Sequence, residues 1–472
     1  MTTDAPQITI REVEAFERIM PFTRPFRFGA VTVTSAPQAF VRVEVEVAGH
    51  GRSTGVAAEM MMPKWFDKNP AKSPAETVDD LRASLIRAAD AYAGRAGADT
   101  AFGHHCEVIA GQEDWAQGRG LPALTANYGP ALVDKAILDA LLKAMHLGFA
   151  EGLRRNAPGL DARLTPDLHN DEIVDALGNL TPQSSIAIRH TVGLLDDLNG
   201  ADGLAADIAR ANLRYFKLKI GGDVAADLER LRAITAHLAD HAPDFRATLD
   251  ANEQYDTARF ADLLDWLATD PALALLRNRL LYIEQPFDRR TTFDAPLSAA
   301  RRAHPLIIDE ADGDCGAFPR AAQLGYRGVS SKSCKGLYKS LLNAVRAHSW
   351  NRRDGRTGWY FLAGEDLTCQ AGLGVQQDTA LAAMLGIAHV ERNGHHYVDG
   401  FGPAPAHEAQ AFADAHPTLY ARHGDALSLA IQGGALPTAL LLAAPGFASG
   451  AEPDWATLSR LTPDTAFKET TL

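Results

Sequence analysis

From about residue 165 the chain repeats one theme: an apolar run of strand length, a turn rich in Gly, Asp, Asn or Pro, then a segment with helical period. The runs are "SSIAIRHTVG", "YFKLKIGG", "FRATLDANE", "LLYIEQPF", "PLIIDEADGD", "GVSSKSC", "WYFLAGEDL" and "IAHVERNG". Between the second and third, Val224, Leu228, Leu231, Ile234 and Leu238 recur at steps of three and four, the stripe of an amphipathic helix. "TARFADLLDWLA" and "LYKSLLNAVRAHSW" repeat that period. Strands alternating with helices imply a parallel sheet with right-handed crossovers. Eight such units fit a closed (β/α)8 TIM-type barrel better than an open sheet.

The stretch ahead of the repeats differs in kind. "ITIREVEAFERIM" and "FVRVEVEVAGHGRSTGVAAE" alternate with period two around a hairpin turn at "AGHGRS", and "LVDKAILDALLKAM" follows as a helix. The expected organisation is an α+β capping domain over 1–165, with an insertion at about 95–180, a catalytic barrel over 180–395, and a C-terminal segment, 396–472, that returns to the capping domain. Residues 66–80 and 111–131 read as long loops.

Composition narrows the partners. At 46% hydrophobic and 22% charged the 472 residues are those of a globular protein, and the formal charge of −13 disfavours nucleic acid or an anionic membrane while favouring divalent cations. Cys106, Cys315, Cys334 and Cys369 form no CxxC pair, which argues against a disulfide framework or a cysteine-built zinc site. The polar, acidic start "MTTDAPQITIREVEAF" is unlike a signal peptide, and no run approaches the ~20 apolar residues of a membrane span. A cytoplasmic protein is expected.

In a parallel barrel the reacting groups sit at the C-terminal ends of the strands. The second run ends in Lys217 and Lys219, the third in Asp250 with Asn252, the fourth in Glu284, the fifth in Asp309 with Glu310, and the sixth in Lys332. Lys217 and Lys219 share one face of their strand, since successive side chains alternate. Carboxylates at three consecutive strand tips would converge, and like charges at that range repel unless a cation joins them; oxygen-only ligands suit Mg²⁺ or Mn²⁺. Any one of these acids could instead be a helix cap or turn former, and Lys332 could be a surface residue, as Lys335 is expected to be.

These motifs, the Lys-x-Lys of "KLK", the Asp-x-Asn of "LDAN", the Glu of "IEQPF", the Asp of "IIDEAD" and the Lys of "VSSKSCKG", stand in an order and spacing that resembles the enolase superfamily, in its mandelate racemase and muconate lactonising enzyme branch. "PFRFG" and "STGVAAE" extend the resemblance into the N-terminal part. It implies Asp250, Glu284 and Asp309 as ligands of Mg²⁺, with Mn²⁺ as an alternative, Lys219 and Lys332 as acid/base catalysts on opposite faces of the substrate, and Lys217 as helper. Lysines on the second and sixth strands look like the muconate lactonising side of the branch. The activity so implied is removal of the proton α to a carboxylate through a metal-stabilised enediolate, in a racemase, epimerase or cycloisomerase. A sugar-acid dehydratase and a catalytically silent binding barrel are the alternatives. A small carboxylate substrate and a homo-oligomer are expected.

On that chemistry the base must be neutral, and the neighbouring Lys217 ammonium and the metal are expected to push Lys219 toward the free amine. Substrate contacts are sought among Asn252, His190 on the first strand, Glu365 and Asp366 on the seventh, and His389 and Glu391 on the eighth. A lone strand histidine is also an ordinary hydrogen-bonded core residue. "MPFTRPFRFG" and "MMMPKWFDK" are expected to close over the barrel mouth, where Met60 to Met62, Trp65 and Phe66 serve either interface packing or an apolar substrate end.

Overall fold

The computed structural model describes residues 5–28, 31–200, 202–298, 304–424 and 426–463. The alternating N-terminal segments form an antiparallel sheet of β1 (Ile8–Phe28), β2 (Val31–Val47) and β3 (Gly51–Met60), with the β2–β3 turn where "AGHG" stands. Against it pack α1 (Pro74–Ala93) and α3 (Ala123–Ala144), with α2 (Ala101–Gln117) packed on those two helices.

Eight parallel strands follow: β4 (Ser185–Val192), β5 (Tyr215–Lys219), β6 (Arg246–Asp250), β7 (Leu280–Glu284), β8 (Leu306–Ile308), β9 (Gly328–Ser331), β10 (Phe361–Glu365) and β11 (His389–Glu391). Each pairs with the next, and β11 pairs with β4, so the sheet closes into a barrel. The helices Val224–His241, Thr257–Thr269 and Leu337–Arg353 lie where the helical period predicts them. The alternation within β5 shows how the layers are built. Phe216 and Leu218 turn outward and are fully buried under the helices, while Lys217 and Lys219 turn into the lumen.

The C-terminal segment touches both parts. Ala435–Pro437 runs antiparallel beside β4, and Ser459–Arg460 pairs with β1 at Phe16 and Glu17. Among the described residues no helix is long and apolar enough to cross a membrane.

Two expected loops are partly helical. Pro74 opens α1 inside the 66–80 stretch, capped by Ser73, whose side chain accepts from the Glu76 N–H while Glu76 reaches back to the Ser73 N–H. Within 111–131, α2 continues to Gln117 and α3 starts at Ala123, running through Gly129 and Pro130.

Candidate active site

The register of the barrel decides which strand ends meet. Lys219 stands beside Asp250, and Asp250 beside Glu284, on adjacent parallel strands. Neighbouring acids in this register would repel, and buried ammonium groups separate them. Lys217 Nζ lies 2.9 Å from Asp250 Oδ2, 3.2 Å from Glu284 Oε2, 2.7 Å from Glu365 Oε1 and 2.8 Å from Glu391 Oε2. Lys219 Nζ donates to Asp250 Oδ2 at 2.6 Å and to Asn252 Oδ1 at 2.9 Å. Across the lumen, Lys332 Nζ lies 2.7 Å from Asp309 Oδ2, donates to Glu365, and stands 5.0 Å from the Trp65 ring centroid.

These contacts set the charges. Burial would lower the Lys217 pKa, but its four carboxylate neighbours hold it well above the usual lysine value. Lys332 is raised in the same way by Asp309 and Glu365. Burial works against the Asp250 and Glu365 carboxylates, yet Lys217, with Lys219 for one and Lys332 for the other, keeps both well below the usual range. Glu284 goes the other way: burial and the Glu365 charge push it up. Its oxygens accept no hydrogen bond among the described residues. Lys217 therefore serves the carboxylates around it.

A cation fits this donor set. Carboxylate oxygens of Glu284, Asp309 and Glu365 lie within 4.8 Å of one another, all buried, and oxygen-only donors suit a hard divalent ion. Asp250 is not in that group, because its Oδ2 faces the two lysines and its Oδ1 accepts from the Asn252 N–H at 3.0 Å.

The void between these groups is about 40 Å³, room for a few waters. Lys217, Lys219, Asp250, Asn252, Asp309, Lys332, Glu365, Asp366 and Glu391 all reach it, and Phe26, Met62 and Trp65 cover it from the N-terminal part. Met60, Met61 and Phe66 are buried without lining it. Lys68 fastens this cover to the barrel, 2.5 Å from Glu253 and 3.1 Å from Glu310.

Residues 201–337 match the family model described as "Enolase C-terminal domain-like". The fold, a closed eight-stranded barrel with an N-terminal sheet domain, is similar to that of solved structures of the mandelate racemase/muconate lactonizing type. Solved structures similar to this chain include a dipeptide epimerase from Enterococcus faecalis V583, complexed with Mg and the dipeptide L-Leu-L-Tyr (15% identity, TM-score 0.60, covering 96% of this chain and 99% of that one). A muconate lactonizing enzyme from Pseudomonas fluorescens, complexed with muconolactone, is 19% identical (TM-score 0.58, 94% and 97% covered). An enolase from Bradyrhizobium, complexed with magnesium and mandelic acid, is 17% identical (TM-score 0.58, 95% and 97% covered). By sequence, no curated protein matches.

Within this barrel two of the sought substrate contacts face elsewhere. His190 lies on the outward face of β4, against the helix Leu204–Ala211, because Arg189 and Thr191 take the inward positions. His389 sits a layer below the void, stacked on Tyr215 and accepting from Arg189 Nη1 at 2.8 Å; burial pushes its pKa down to about 3, so it is neutral. Asp366 lines the void but is engaged by Arg392 at 2.7 Å, and burial pushes its carboxyl up to about 7. Glu391 accepts from Thr191 and from Asn393 Nδ2 at 2.8 Å.

Lys335 is a correction. It is 1% exposed, 3.1 Å from Asp309 Oδ1 and 3.2 Å from Asp312 Oδ2, so it buttresses Asp309 instead of facing solvent. Arg189 escaped the sequence reading altogether. Fully buried under the site, it donates to Glu365 at 3.2 Å and lies over the Tyr282 ring. The alternation of "SIAIRHTV" carried the signal: Ile186, Ile188 and His190 share one face, so Arg189 and Thr191 take the other.

Proposed function

We propose that the chain is a divalent-metal-dependent enzyme that removes the proton α to a carboxylate, acting as an isomerase of the racemase, epimerase or cycloisomerase type. The observation that carries this reading is the placement of Lys219 and Lys332. Lys219 ends the second strand and Lys332 follows the sixth of an eight-stranded barrel, on opposite walls of one void, with carboxylates between them.

Glu284, Asp309 and Glu365 would hold the ion, with Asp250 beside them on the lysine side. When bound it supplies Lewis-acid stabilisation of the charge that collects on the substrate carboxylate as the α-proton leaves. The chain's own residues do the rest. One lysine, as the free amine, takes the proton from one face and becomes an ammonium. The other, as the ammonium, returns a proton to the opposite face and becomes the amine. Lys332, held charged by Asp309 and Glu365, suits the donor side in the arrangement seen. Asn252 holds Lys219 in place through its Oδ1. Phe26, Met62 and Trp65 exclude water and face the non-reacting end of the substrate. Their apolar character favours an isomerase over a sugar-acid dehydratase, which would need hydroxyl-binding groups there.

The test is α-proton exchange in D₂O with Mg²⁺ and a panel of dipeptides and N-acyl amino acids. With a turned-over substrate, Lys332→Ala is expected to abolish exchange from one enantiomer and spare the other, and Lys219→Ala to show the mirror pattern. Loss of exchange from both enantiomers in both variants, with Mg²⁺ still bound, would refute the two-base reading.

A further inference from the structure

On the outer side of the first barrel strand lies a second cluster of ligand-type side chains, away from the lysines. His190 comes from β4, Asp207 from the helix Leu204–Ala211 and His396 from the short helix Gly394–Tyr397, which follows β11. All three are largely buried, and their donor atoms lie within 4.8 Å of one another. His190 Nε2 is 3.7 Å and His396 Nδ1 3.4 Å from the same Asp207 oxygen, Oδ2. Two ligand atoms at tetrahedral angles around Zn²⁺, with bonds of about 2.0–2.1 Å, stand ~3.3 Å apart, so the cluster needs only a small contraction.

The chemistry of the set differs from that of the catalytic void. Two imidazoles and one carboxylate favour a borderline transition ion over Mg²⁺. The cluster borders a cavity of about 210 Å³ into which Asp196, Asp197 and Asp202 also project, leaving space for a water ligand and a negative field that draws cations. A cation already stands at this place. Arg24, near the tip of the first hairpin, brings Nη1 to 3.2 Å from His396 Nε2 and 3.8 Å from Asp207 Oδ2, and its Nη2 donates to Asp202 at 2.9 Å. Burial, with Arg24 beside it, pushes the His396 pKa down to about 4, so the ring is neutral at neutral pH and its lone pair is turned to the Arg24 guanidinium that an ion would displace.

We propose that His190, Asp207 and His396 form a second metal site, of the Zn²⁺ type, with a solvent-filled fourth position and with the Arg24 guanidinium as its exchangeable occupant. Filling the site releases Arg24 from the cluster. Arg24 lies two residues from Phe26, which covers the catalytic void, so occupancy reaches the cover of that void through the hairpin.

The experiment titrates Zn²⁺ into the chelator-stripped full chain by calorimetry. Two equivalents are expected, one removed by Glu284→Gln in the carboxylate cluster and the other, independently, by Asp207→Asn or His396→Gln, each weakening it about tenfold or more. Arg24→Gln is expected to tighten that second equivalent by removing its competitor. Co²⁺ in its place should give the strong visible absorption of a tetrahedral, nitrogen-ligated ion in wild type and in Glu284→Gln, but not in Asp207→Asn. His190 is set in the barrel wall, where substitution risks folding, so Asp207→Asn and His396→Gln carry the test, with circular dichroism reporting their fold. Wild-type Zn²⁺ stoichiometry and affinity in both variants would overturn the proposal, as would the absence of any gain in Arg24→Gln.

Discussion

Glu284 is fully buried, its oxygens accept no hydrogen bond among the described residues, and its neighbours include three further carboxylates. Such a group costs stability unless a cation of its own joins it, and the Lys217 ammonium 3.2 Å away is shared among four carboxylates. Glu284→Gln is therefore expected to raise the melting temperature of the metal-free protein by a few degrees, about 1 kcal/mol, while removing the upward shift that Mg²⁺ gives the wild type. Melts in chelator and in Mg²⁺ measure both, and a wild-type Mg²⁺ shift in the variant would exclude Glu284 as a ligand. His389 makes a second test at this scale. Its folded pKa, near 3, lies below the usual 6.5, so the unfolded chain takes up a proton that the folded chain refuses. The stability it contributes is complete above about pH 6.5 and is lost as pH falls toward 3. His389→Asn, whose amide oxygen can still accept from Arg189, should make stability fall less steeply with acidification, by about 1.4 kcal/mol per pH unit between pH 6 and 4. Parallel urea titrations with the wild-type slope in the variant would show that His389 is not the titrating group. The strand-end rule was enough to bring Lys217, Asp250, Glu284, Asp309 and Lys332 together, because a strand terminus fixes both the face and the depth of its last side chain. It could not foresee that Glu365 would join the carboxylate cluster while Asp250 turned to the lysines, since that depends on how long side chains share one void.

Elements were legible where one periodicity ran undisturbed. All eight barrel runs became strands because each is a short apolar segment bounded by turn residues. The missed helices were hidden by punctuation. "SPAE" before α1 is an N-terminal signature, Ser with Pro and then Glu at the third helical position, which also reads as a turn. "NYGPAL" inside α3 looks like a loop, yet Gly129 is there for close approach: a Cβ built on it would lie 2.3 Å from the Ser84 backbone oxygen of α1. The Gly129 N–H donates to Ser84 Oγ at 3.1 Å, and Pro130 next to it gives up a helical bond at this crossing. Gly129→Ala is expected to force the two helices apart and to destabilise the protein by about 1–3 kcal/mol, read from urea unfolding. Wild-type stability in that variant would mean that the crossing yields without cost.

At the scale of the whole molecule, a buried ion pair of the N-terminal part is hydrogen-bonded to the barrel. Lys135 of α3 and Glu59 of β3 lie 3.2 Å apart, essentially unexposed, and Lys135 also donates to the Ala58 carbonyl at 2.9 Å. Glu59 accepts from Ser333 Oγ at 2.8 Å and from Cys369 Sγ at 3.2 Å, both on the barrel. Ser333 directly follows Lys332, so the pair anchors the end of the sixth strand from outside. Removing the cation alone strands the carboxylate: Lys135→Met should cost about 3–5 kcal/mol. Removing both charges should cost clearly less than the sum of the two single changes, because Gln in place of Glu59 can still bond Ser333 without a buried charge, and contacting residues couple by about 0.5–3 kcal/mol. The same disturbance reaches Lys332 through Ser333, so Lys135→Met should also lower α-proton exchange from the enantiomer that Lys332 serves more than from the other. A double-mutant cycle of Lys135→Met and Glu59→Gln by urea unfolding, with exchange measured on each folded variant, tests both statements. Additive stabilities, or equal losses of exchange from the two enantiomers, would mean that the pair packs the interface without steering the sixth strand.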